Sequence, residues 1–508
     1  MLPLKQFFDA NKQSSGAWID NTCGYQTGCW IVQWHESAIY WTLWYQYTQW
    51  SGDTQYLYWM ESNMAASVGG HGDFLGGYGR YEAESTRWND DISWWAIAAA
   101  DGAVALGKDA ILTGDGHTYL SLASTTFDEV WDHWDTACNG GIYWGRDRHS
   151  TSNQVAFLKS TITNAQLMEI AAKIVLLTGD AGYKTKFDQI YAWITSVIMT
   201  ADYYVADGVD SRYCAPMPQI YSYHLGVLLT AHVTMYKATS DPHYLTEATN
   251  LYNSILRQFV SYNVISIEPS CDATGACKTP NGFWWSLYKG LSAFYSAASD
   301  LSLKSSIATV LRASALKNIQ LCNAQWYCMR YLPNGDFKLP DGTNVRDQFE
   351  TVALLNALAF ITLDGADAIP FNPDYQMISP TPATTSWNVS AAMWSQTSYW
   401  ETGATKTAAT GTARATRQAG SAATSMLATS VTASTVSGAL SNDTATEAEA
   451  IAPGRVVGAV IGVLAALAII GAAMFRWLRK GNAEDKGVAM DVPAPEAESP
   501  FLTLDSTN

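Results

Sequence analysis

The sequence predicts an all-α fold, an (α/α)6 toroid of six helical hairpins. A small residue or turn followed by Asp recurs about every 60 residues, at Gly52-Asp53, Gly114-Asp115, Gly179-Asp180, Ser240-Asp241, Ser299-Asp300 and Leu363-Asp364. The first five turns follow aromatic or Ala/Leu-rich runs of helical character. Each unit therefore predicts a helix, a Gly/Asp turn and a second helix. Six units followed at once by a different composition favour a closed ring over an open helical solenoid.

Composition predicts one large domain over residues 1–375. The chain has 508 residues, of which 48% are hydrophobic, and this suffices for a large core. Its 46 acidic residues against 30 basic ones give a net charge of -16, which argues against nucleic acid and acidic polymers as partners. The 21 Trp and 27 Tyr residues suit a neutral sugar ligand, although most such rings serve packing. We expect no cofactor.

The eight cysteines predict disulfides and an oxidising compartment. They are Cys23, Cys29, Cys138, Cys214, Cys271, Cys277, Cys322 and Cys328. Three pairs, 23/29, 271/277 and 322/328, are each six positions apart, which leaves 138 with 214 as a long bridge. Zinc is the alternative, but no pair has the Cys-x-x-Cys spacing with a nearby His that zinc sites use. We therefore expect no metal site.

The composition of the C-terminal part of the chain predicts a membrane anchor. Residues 376–455 are dominated by Ser, Thr and Ala, and this composition is typical of a disordered, O-glycosylated stalk. Residues 456–475 form an apolar run long enough for one transmembrane helix. Basic residues follow this run, which predicts a cytosolic tail over 476–508 and an extracellular or lumenal domain at the plasma membrane or an endomembrane. Because residues 1–18 have no signal-peptide core, either the start is truncated or the transmembrane helix directs insertion unaided, and we favour a truncated start.

The pair Asp90-Asp91 is the main candidate for chemistry. Two neighbouring carboxyl groups can approach the roughly 5 to 5.5 Å separation that retaining glycosidases use, because successive Cα atoms are about 3.8 Å apart. The flanking tryptophans suit a sugar site. The alternative is that Asn89 and the two aspartates only cap the apolar helix that follows.

Further candidates for substrate binding fall in the same part of each unit. They are Trp34, Glu36, Asn89, Trp94, Trp95, Tyr143, Trp144, Asn164, Tyr223, His224 and Lys289. Each also has a structural interpretation. Glu36 suits an ion pair, His224 a hydrogen-bonded core position and Lys289 a solvated surface charge.

These segments together resemble glycoside hydrolase family 76, the α-1,6-mannanase family, and within it the fungal branch named for defective cell wall and defective filamentous growth. Trp34-His35-Glu36-Ser37-Ala38 is similar to the family run Trp-Trp-Glu-Ala-Gly, and residues 88–95 are similar to its Asp-Asp-x-x-Trp-Trp signature. Residues 138–144, 159–172, 221–229 and 271–290 resemble further family segments. The chain departs from the family at His224, where Asn is common, and at Leu287-Tyr288, where Phe is expected.

The resemblance implies a retaining enzyme with Asp90 as nucleophile and Asp91 as acid/base. It implies α-mannan or the mannose core of a GPI anchor as substrate, with cell-wall glucan as a candidate acceptor and the C-terminal helix as membrane anchor. Water as acceptor makes an endo-α-1,6-mannosidase, whereas a sugar hydroxyl makes a transglycosidase. The competing hypothesis is a catalytically inactive sensor that binds wall glycan and reports through the tail.

Overall fold

The computed structural model describes residues 1–11, 34–75, 88–150, 152–266, 284–323, 326, 328 and 345–363. All of them belong to one compact unit of the chain. Most of this unit is helical, in agreement with the predicted fold class. The predicted stalk, the helix predicted at 456–475 and the tail lie outside the described residues. No helix within the described ranges is long and apolar enough to cross a membrane.

Helices dominate the order of elements. They are α1 (Leu2–Asn11), α2 (Trp34–Ser51), α3 (Leu57–Ala65), α4 (Asn89–Leu106), α5 (Tyr119–Trp131), α6 (Asn153–Phe157), α7 (Thr161–Thr178), α8 (Ala181–Val197), α9 (Ser222–Thr239), α10 (Pro242–Phe259), α11 (Trp284–Ala297), α12 (Leu301–Ile319) and α13 (Val345–Leu363). Five short strands lie in three connections between helices. They form two sheets, one of β1 (Leu158–Ser160), β2 (Gly208–Asp210) and β3 (Ala215–Pro216), and another of β4 (Val260–Ser261) and β5 (Val264–Ile265). Both sheets are antiparallel.

Six helices form a closed inner ring in the part of the chain described. Helices α2, α4, α7, α9, α11 and α13 pack successively against one another, and α13 packs against α2. These helices are apolar around most of their circumference, as buried helices are. In α7, every residue from 161 to 175 is buried. The outer helices α3, α5, α8, α10 and α12 each pack on the inner helix before them, so five complete hairpins and a sixth inner helix confirm the predicted repeat.

The Gly/Asp turns join the inner helix to the outer helix of a hairpin. Asp180, Asp241 and Asp300 are the N-caps of α8, α10 and α12, and each carboxylate accepts the backbone N–H two residues on at 2.7 to 2.9 Å. Asp115 does not cap a helix, because Thr118 takes that position for α5. Asp364 lies outside the described residues.

Close contact between α9 and α11 depends on two glycines. A Cβ atom on Gly226 would lie 2.4 Å from the backbone carbon of Ser286, and one on Gly290 would lie 2.8 Å from the carbonyl oxygen of Gly226. The absence of side chains therefore lets the two helix backbones approach directly. This contact aligns the beginnings of α9 and α11 at the same face of the ring.

Two disulfides are described, Cys138–Cys214 and Cys322–Cys328, and both have the expected partners. The cysteines at 23, 29, 271 and 277 lie outside the described residues. The long bridge, with a sequence separation of 76, ties the connection after α5 to the β3 region after α8. It thereby fixes a loop that reaches the candidate active site.

Candidate active site

The N-terminal ends of the inner helices meet at one face of the ring. The side chain of His35 on α2 contacts Asp91 on α4, and the Trp94 and Trp285 rings of α4 and α11 lie 5.3 Å apart. At the end of the ring, Arg346 of α13 forms an ion pair with Glu36 of α2. The positive ends of the helix dipoles are therefore gathered at the face that carries the two aspartates.

Asp90 and Asp91 lie in the first turn of α4 and are partly exposed. The N-cap residue of this helix is Trp88, which makes no side-chain cap hydrogen bond. One carboxylate oxygen of Asp90 accepts the backbone N–H of Asp91 at 3.0 Å. Neither aspartate therefore occupies the N-cap position itself, and both carboxyl groups lie in the first turn at the ring face, where their charge also favours the helix start.

Asn89 holds the start of α4 against the neighbouring loop. Its buried side-chain amide donates to the carbonyl of Tyr143 at 2.8 Å and accepts from the guanidinium of Arg146 at 2.9 Å. Its backbone N–H donates to the carbonyl of Trp144 at 2.9 Å. Asn89 is thus buried and positions the start of α4 against this loop, and its role in substrate binding stays a prediction.

The loop over residues 135–146 places Trp144 beside Asp90. The Trp144 indole forms a side-chain hydrogen bond with Asp90, and its ring lies 4.0 Å from that of Trp88. The side-chain amide of Asn164 accepts the backbone N–H of Ile142 at 3.0 Å and donates to the carbonyl of the same residue at 3.1 Å. A partly exposed indole held rigidly next to a carboxyl group is suited to stacking on a sugar ring.

A buried lysine fixes the base of the same loop. The ammonium group of Lys159 donates to the carbonyls of Ala137 and Gly140, both at 2.7 Å, and forms an ion pair with Asp135. The indole N–H of Trp193 donates to the carbonyl of Cys138 at 3.1 Å. The disulfide, the lysine and this tryptophan hold the loop on the ring independently of any ligand.

The two aspartates differ in their charge environment. Burial, followed by the charge of Asp91, raises the pKa of Asp90 to about 7. The imidazole Nδ1 of His35 lies 3.1 Å from Oδ1 of Asp91. Burial would lower the pKa of His35, but the charge and hydrogen bond of Asp91, together with Glu36 and Asp90, raise it to about 9. Near neutral pH the site therefore holds an imidazolium beside a carboxyl pair in which Asp90 can still carry a proton.

A carboxyl pair with one proton can perform acid/base and nucleophilic chemistry together. One carboxylate is available to attack, and one neutral carboxyl is available to donate a proton. Carboxyl groups on consecutive residues can also approach the close spacing that double displacement needs. Within the described ranges no group of acidic, His or Cys side chains is arranged to hold a metal ion.

The structure brings only some of the predicted site residues to this pair. Trp144, Asn89 and the ion-paired Glu36 lie around it, and Trp94 packs on Trp285 at the same face. Tyr143 is nearly buried beneath the guanidinium of Arg148. Tyr223 lies at the start of α9, partly exposed, with its ring against that of His224.

Other predicted residues serve packing or internal ion pairs. Trp95 is 0% exposed and packs between Trp34 and Phe74, with ring centroids 5.1 and 5.4 Å away. His224 is buried, with Nε2 3.5 Å from a carboxylate oxygen of Asp207. Trp95 is covered by the rings of Trp34 and Phe74, and the fully buried His224 lies against the rings of Tyr221 and Tyr223, so neither side chain is exposed for contact with a polymer.

Lys289 lies in the centre of the ring rather than beside the aspartate pair. Its ammonium group contacts Asp101 of α4 at 2.7 Å and Glu169 of α7 at 2.6 Å, and Lys173 contacts the same two carboxylates at 2.6 Å each. We name these four residues the central ion cluster. Asp101 is eleven residues after Asp90, which corresponds to about 16 Å along a helix. Lys289 is therefore neither a solvated surface charge nor in direct contact with the aspartate pair.

Several residues around the pair were not among the predicted site residues. His35 lies in the run that resembles the family, but its contact with Asp91 depends on how α2 packs on α4. Gln166 of α7 donates to the carbonyl of Asp90 at 3.1 Å, and Arg346 pairs with Glu36 across 310 positions of sequence. A polar residue that interrupts a buried aromatic run is the only signal that the sequence offered for His35.

Comparison with protein families and curated proteins gives consistent findings. The profile of glycosyl hydrolase family 76 matches residues 2–365. A Schizosaccharomyces pombe protein with the provisional name mannan endo-1,6-alpha-mannosidase is 25% identical over 360 residues, which cover 66% of this chain and 78% of that protein. The mannan endo-1,6-alpha-mannosidase DFG5 of Saccharomyces cerevisiae is 25% identical over 243 residues, which cover 46% of this chain and 51% of the relative.

Solved structures share the fold. Dfg5 from Chaetomium thermophilum, in complex with glucosamine, matches with a TM-score of 0.62 and 21% identity over 72% of this chain and 88% of that one. A second match is an inactive variant of an alpha-1,6-mannanase from Salegentibacter, in which two consecutive aspartates are replaced by asparagine and alpha-1,6-mannotriose is bound. It matches with a TM-score of 0.55 and 15% identity over 71% of this chain and 97% of that one.

Proposed function

Because the chain belongs to glycosyl hydrolase family 76 and is therefore a glycoside hydrolase, we propose that it is a retaining endo-α-1,6-mannosidase or mannosyl transglycosidase. Its substrate is cell-wall mannan or the mannose core of a GPI anchor. The observation that carries the proposal is the adjacent pair Asp90-Asp91 at the N-terminal face of the helix ring. The consecutive aspartates replaced in the inactive mannanase variant, and the mannotriose bound there, support the same assignment.

The proposed reaction proceeds in two displacements. A carboxylate oxygen of Asp90 attacks C1 of an α-mannosyl unit while Asp91 gives its proton to the departing glycosidic oxygen. The C1–O bond breaks and a β-linked mannosyl-enzyme forms. In the second step Asp91 removes a proton from water or from a sugar hydroxyl, whose oxygen attacks C1 and releases Asp90. Water gives hydrolysis, and a sugar hydroxyl, for example on wall glucan, gives transfer.

These roles require that the shared proton moves from Asp90 to Asp91 before the attack. In the free site the imidazole of His35 contacts Asp91, and Asp90 is the carboxyl group whose pKa is raised to about 7. The two groups are coupled neighbours, so a bound sugar has only to redistribute one proton between them. The resting charges favour a second assignment, with Asp91 as nucleophile and Asp90 as acid, and an experiment separates the two.

The test is an assay of the purified protein on α-1,6-linked mannan oligosaccharides, with the products resolved by size. We expect shorter products from hydrolysis or longer ones from transfer. Asp90→Asn should be inactive on every substrate, because a neutral amide is not a nucleophile. Asp91→Asn should keep activity on mannosides with a good leaving group, which need little protonation.

The control is Asp109→Asn, because Asp109 is exposed and paired only with its neighbour Lys108. This variant should behave as the wild-type protein does. The reverse pattern, with Asp91→Asn dead and Asp90→Asn rescued by the good leaving group, would exchange the two roles. A wild-type protein that binds these sugars and never forms a product would be the sensor, and the glycosidase proposal would be wrong.

We further propose that the enzyme works on a tether at the cell surface or in an endomembrane lumen. The support is the Ser/Thr-rich composition of 376–455, the apolar run of 456–475 and the basic residues that follow it. Protease added to intact cells should remove the helical domain and spare an epitope at the C-terminus. A protected domain with a digested C-terminal epitope would reverse the topology.

A further inference from the structure

His35 is the polar residue that most directly contacts the aspartate pair. It lies in the first turn of α2, between the core residue Trp34 and the ion-paired Glu36. Its side chain is 30% exposed and that of Asp91 is 24% exposed, so the contact between them lines the open face of the ring. On the basis of the proposed function, we propose that His35 is a positioning residue that orients the Asp91 carboxyl and moves the working range of the pair to lower pH.

The orientation follows from the contact itself. The imidazole Nδ1–H donates to Oδ1 of Asp91 at 3.1 Å, which fixes one oxygen of a side chain whose terminal torsion is otherwise broad. Asp90 is held separately, by Trp144 and by the backbone N–H of Asp91. Each carboxyl group of the pair therefore has its own hydrogen-bond partners, and His35 is a partner of Asp91.

The charge around His35 favours the imidazolium form. Within the described residues, the charged groups near it are Glu36 on its own helix, Asp90 and Asp91 on α4, and Arg346 on α13, which is bound to Glu36. Three carboxyl groups against one guanidinium leave a negative surplus around the ring. The imidazolium is therefore favoured near neutral pH, and the pKa of His35 is raised to about 9.

An imidazolium beside a carboxyl pair favours the ionised form of that pair. It makes the acid of the pair a stronger proton donor and the base a weaker acceptor, so the active singly protonated state is reached at lower pH. Removal of His35 should have the opposite effect. Both limbs of the pH profile should move toward alkaline values, because both carboxyl groups then hold their protons more tightly.

The test compares the pH dependence of kcat/KM for the wild-type protein, His35→Phe and His35→Gln on an α-1,6-linked mannoside. His35→Phe should move both limbs upward by about one pH unit and lower kcat, because charge and orientation are lost together. His35→Gln keeps a neutral N–H donor, so it should show the same shift with most of kcat restored. His117→Phe is the control, since His117 is exposed and contacts Asp115 instead.

A merely structural role makes a different prediction. Loss of kcat in both variants with unshifted limbs would overturn the proposal, and so would a wild-type profile in His35→Phe. NMR titration of the His35 ring in the wild-type protein needs no substrate. A midpoint near 9 that falls in Asp91→Asn supports the contact even if the protein proves inactive on mannosides, whereas a midpoint near the ordinary value of about 6.5 contradicts it.

Discussion

Asp90 illustrates the conflict between stability and activity at a single residue. Its carboxyl group is desolvated beside Asp91, and the pKa of Asp90 is raised to about 7. A group with a raised pKa binds its proton more tightly in the folded than in the unfolded state. The folded state therefore favours the protonated side chain, and the free energy of unfolding decreases as the pH rises from the ordinary Asp pKa through 7.

We therefore expect Asp90→Asn to stabilise the protein at pH 8 and to stabilise it less at pH 5, because the penalty of the raised pKa begins at the ordinary Asp value of about 3.9 and is complete only above 7. Thermal unfolding at the two pH values measures this. Asp109→Asn, which removes an exposed carboxylate, should change the melting temperature little at either pH. A loss of about 0.5 to 2 kcal/mol at both pH values would instead be the signature of a lost helix cap.

The sequence predicted the chemistry of individual residues better than their location. Adjacent carboxylates with flanking tryptophans pointed to the site because covalent neighbours stay together in any fold. Lys289 and Trp95 were placed beside the substrate because they follow aromatic motifs, but α11 directs Lys289 to the central ion cluster and packing covers Trp95. His35 was missed as a site residue because its partner Asp91 lies on another helix.

Glycines decide how closely the inner helices pack. Gly226 lies within α9 where it meets the backbone of α11. Replacement of a helical glycine by alanine normally gains up to about 1 kcal/mol from helix propensity. At Gly226 the new Cβ atom would lie 2.4 Å from a backbone carbon of Ser286, so overpacking should outweigh that gain.

We expect Gly226→Ala to lower the free energy of unfolding by about 1 to 3 kcal/mol, as measured by chemical denaturation. Gly70→Ala is the matched control, because nothing lies within 4 Å of the added atom and Gly70 is exposed. It should be nearly neutral. An unchanged or increased stability of Gly226→Ala would show that α9 and α11 are less tightly packed than described.

At the level of elements, the long inner helices and the turns between hairpins followed from the sequence. The five short strands did not, because two or three residues give no detectable alternation. The N-cap of α5 was not predictable either, since Asp115 and Thr118 both suit a helix start and only the packing of the turn separates them. The loop that presents Trp144 depends on Lys159 and on a disulfide, which are contacts distant in sequence.

The central ion cluster links α4, α7 and α11 across the middle of the ring. Two lysines and two carboxylates are almost entirely buried there, with contacts of 2.6 to 2.7 Å. Removal of one member leaves a buried charge without compensation, which typically costs about 3 to 5 kcal/mol. The cluster therefore matters more for the integrity of the whole ring than for sugar contact.

We expect Lys289→Met, which keeps the length of the side chain and removes its charge, to destabilise the protein by about 3 to 5 kcal/mol in chemical denaturation. Lys108→Met is the control, because Lys108 pairs only with exposed Asp109 and such a surface pair contributes about 0 to 1 kcal/mol. A cost below 1 kcal/mol for Lys289→Met would mean that the cluster does not hold the ring together.

The closed ring itself was predictable from the repeat of Gly/Asp turns, because six hairpins of similar length offer few other ways to bury six apolar helices. Its closure by Glu36 and Arg346 was not, since the two residues lie at opposite ends of the domain sequence. The stalk, the membrane helix and the cytosolic tail remain predictions from composition, and they lie outside the described residues.

The most direct test of the central claim is to trap the covalent intermediate. A fluorinated α-mannoside with an activated leaving group slows the second displacement, so the mannosyl-enzyme accumulates and peptide mass spectrometry locates the sugar. We expect an adduct on the peptide that contains Asp90, with the bond on its carboxylate, and no adduct in Asp90→Asn. An adduct on a residue outside the Asp90-Asp91 pair, or turnover with inversion and no adduct, would contradict the retaining mechanism.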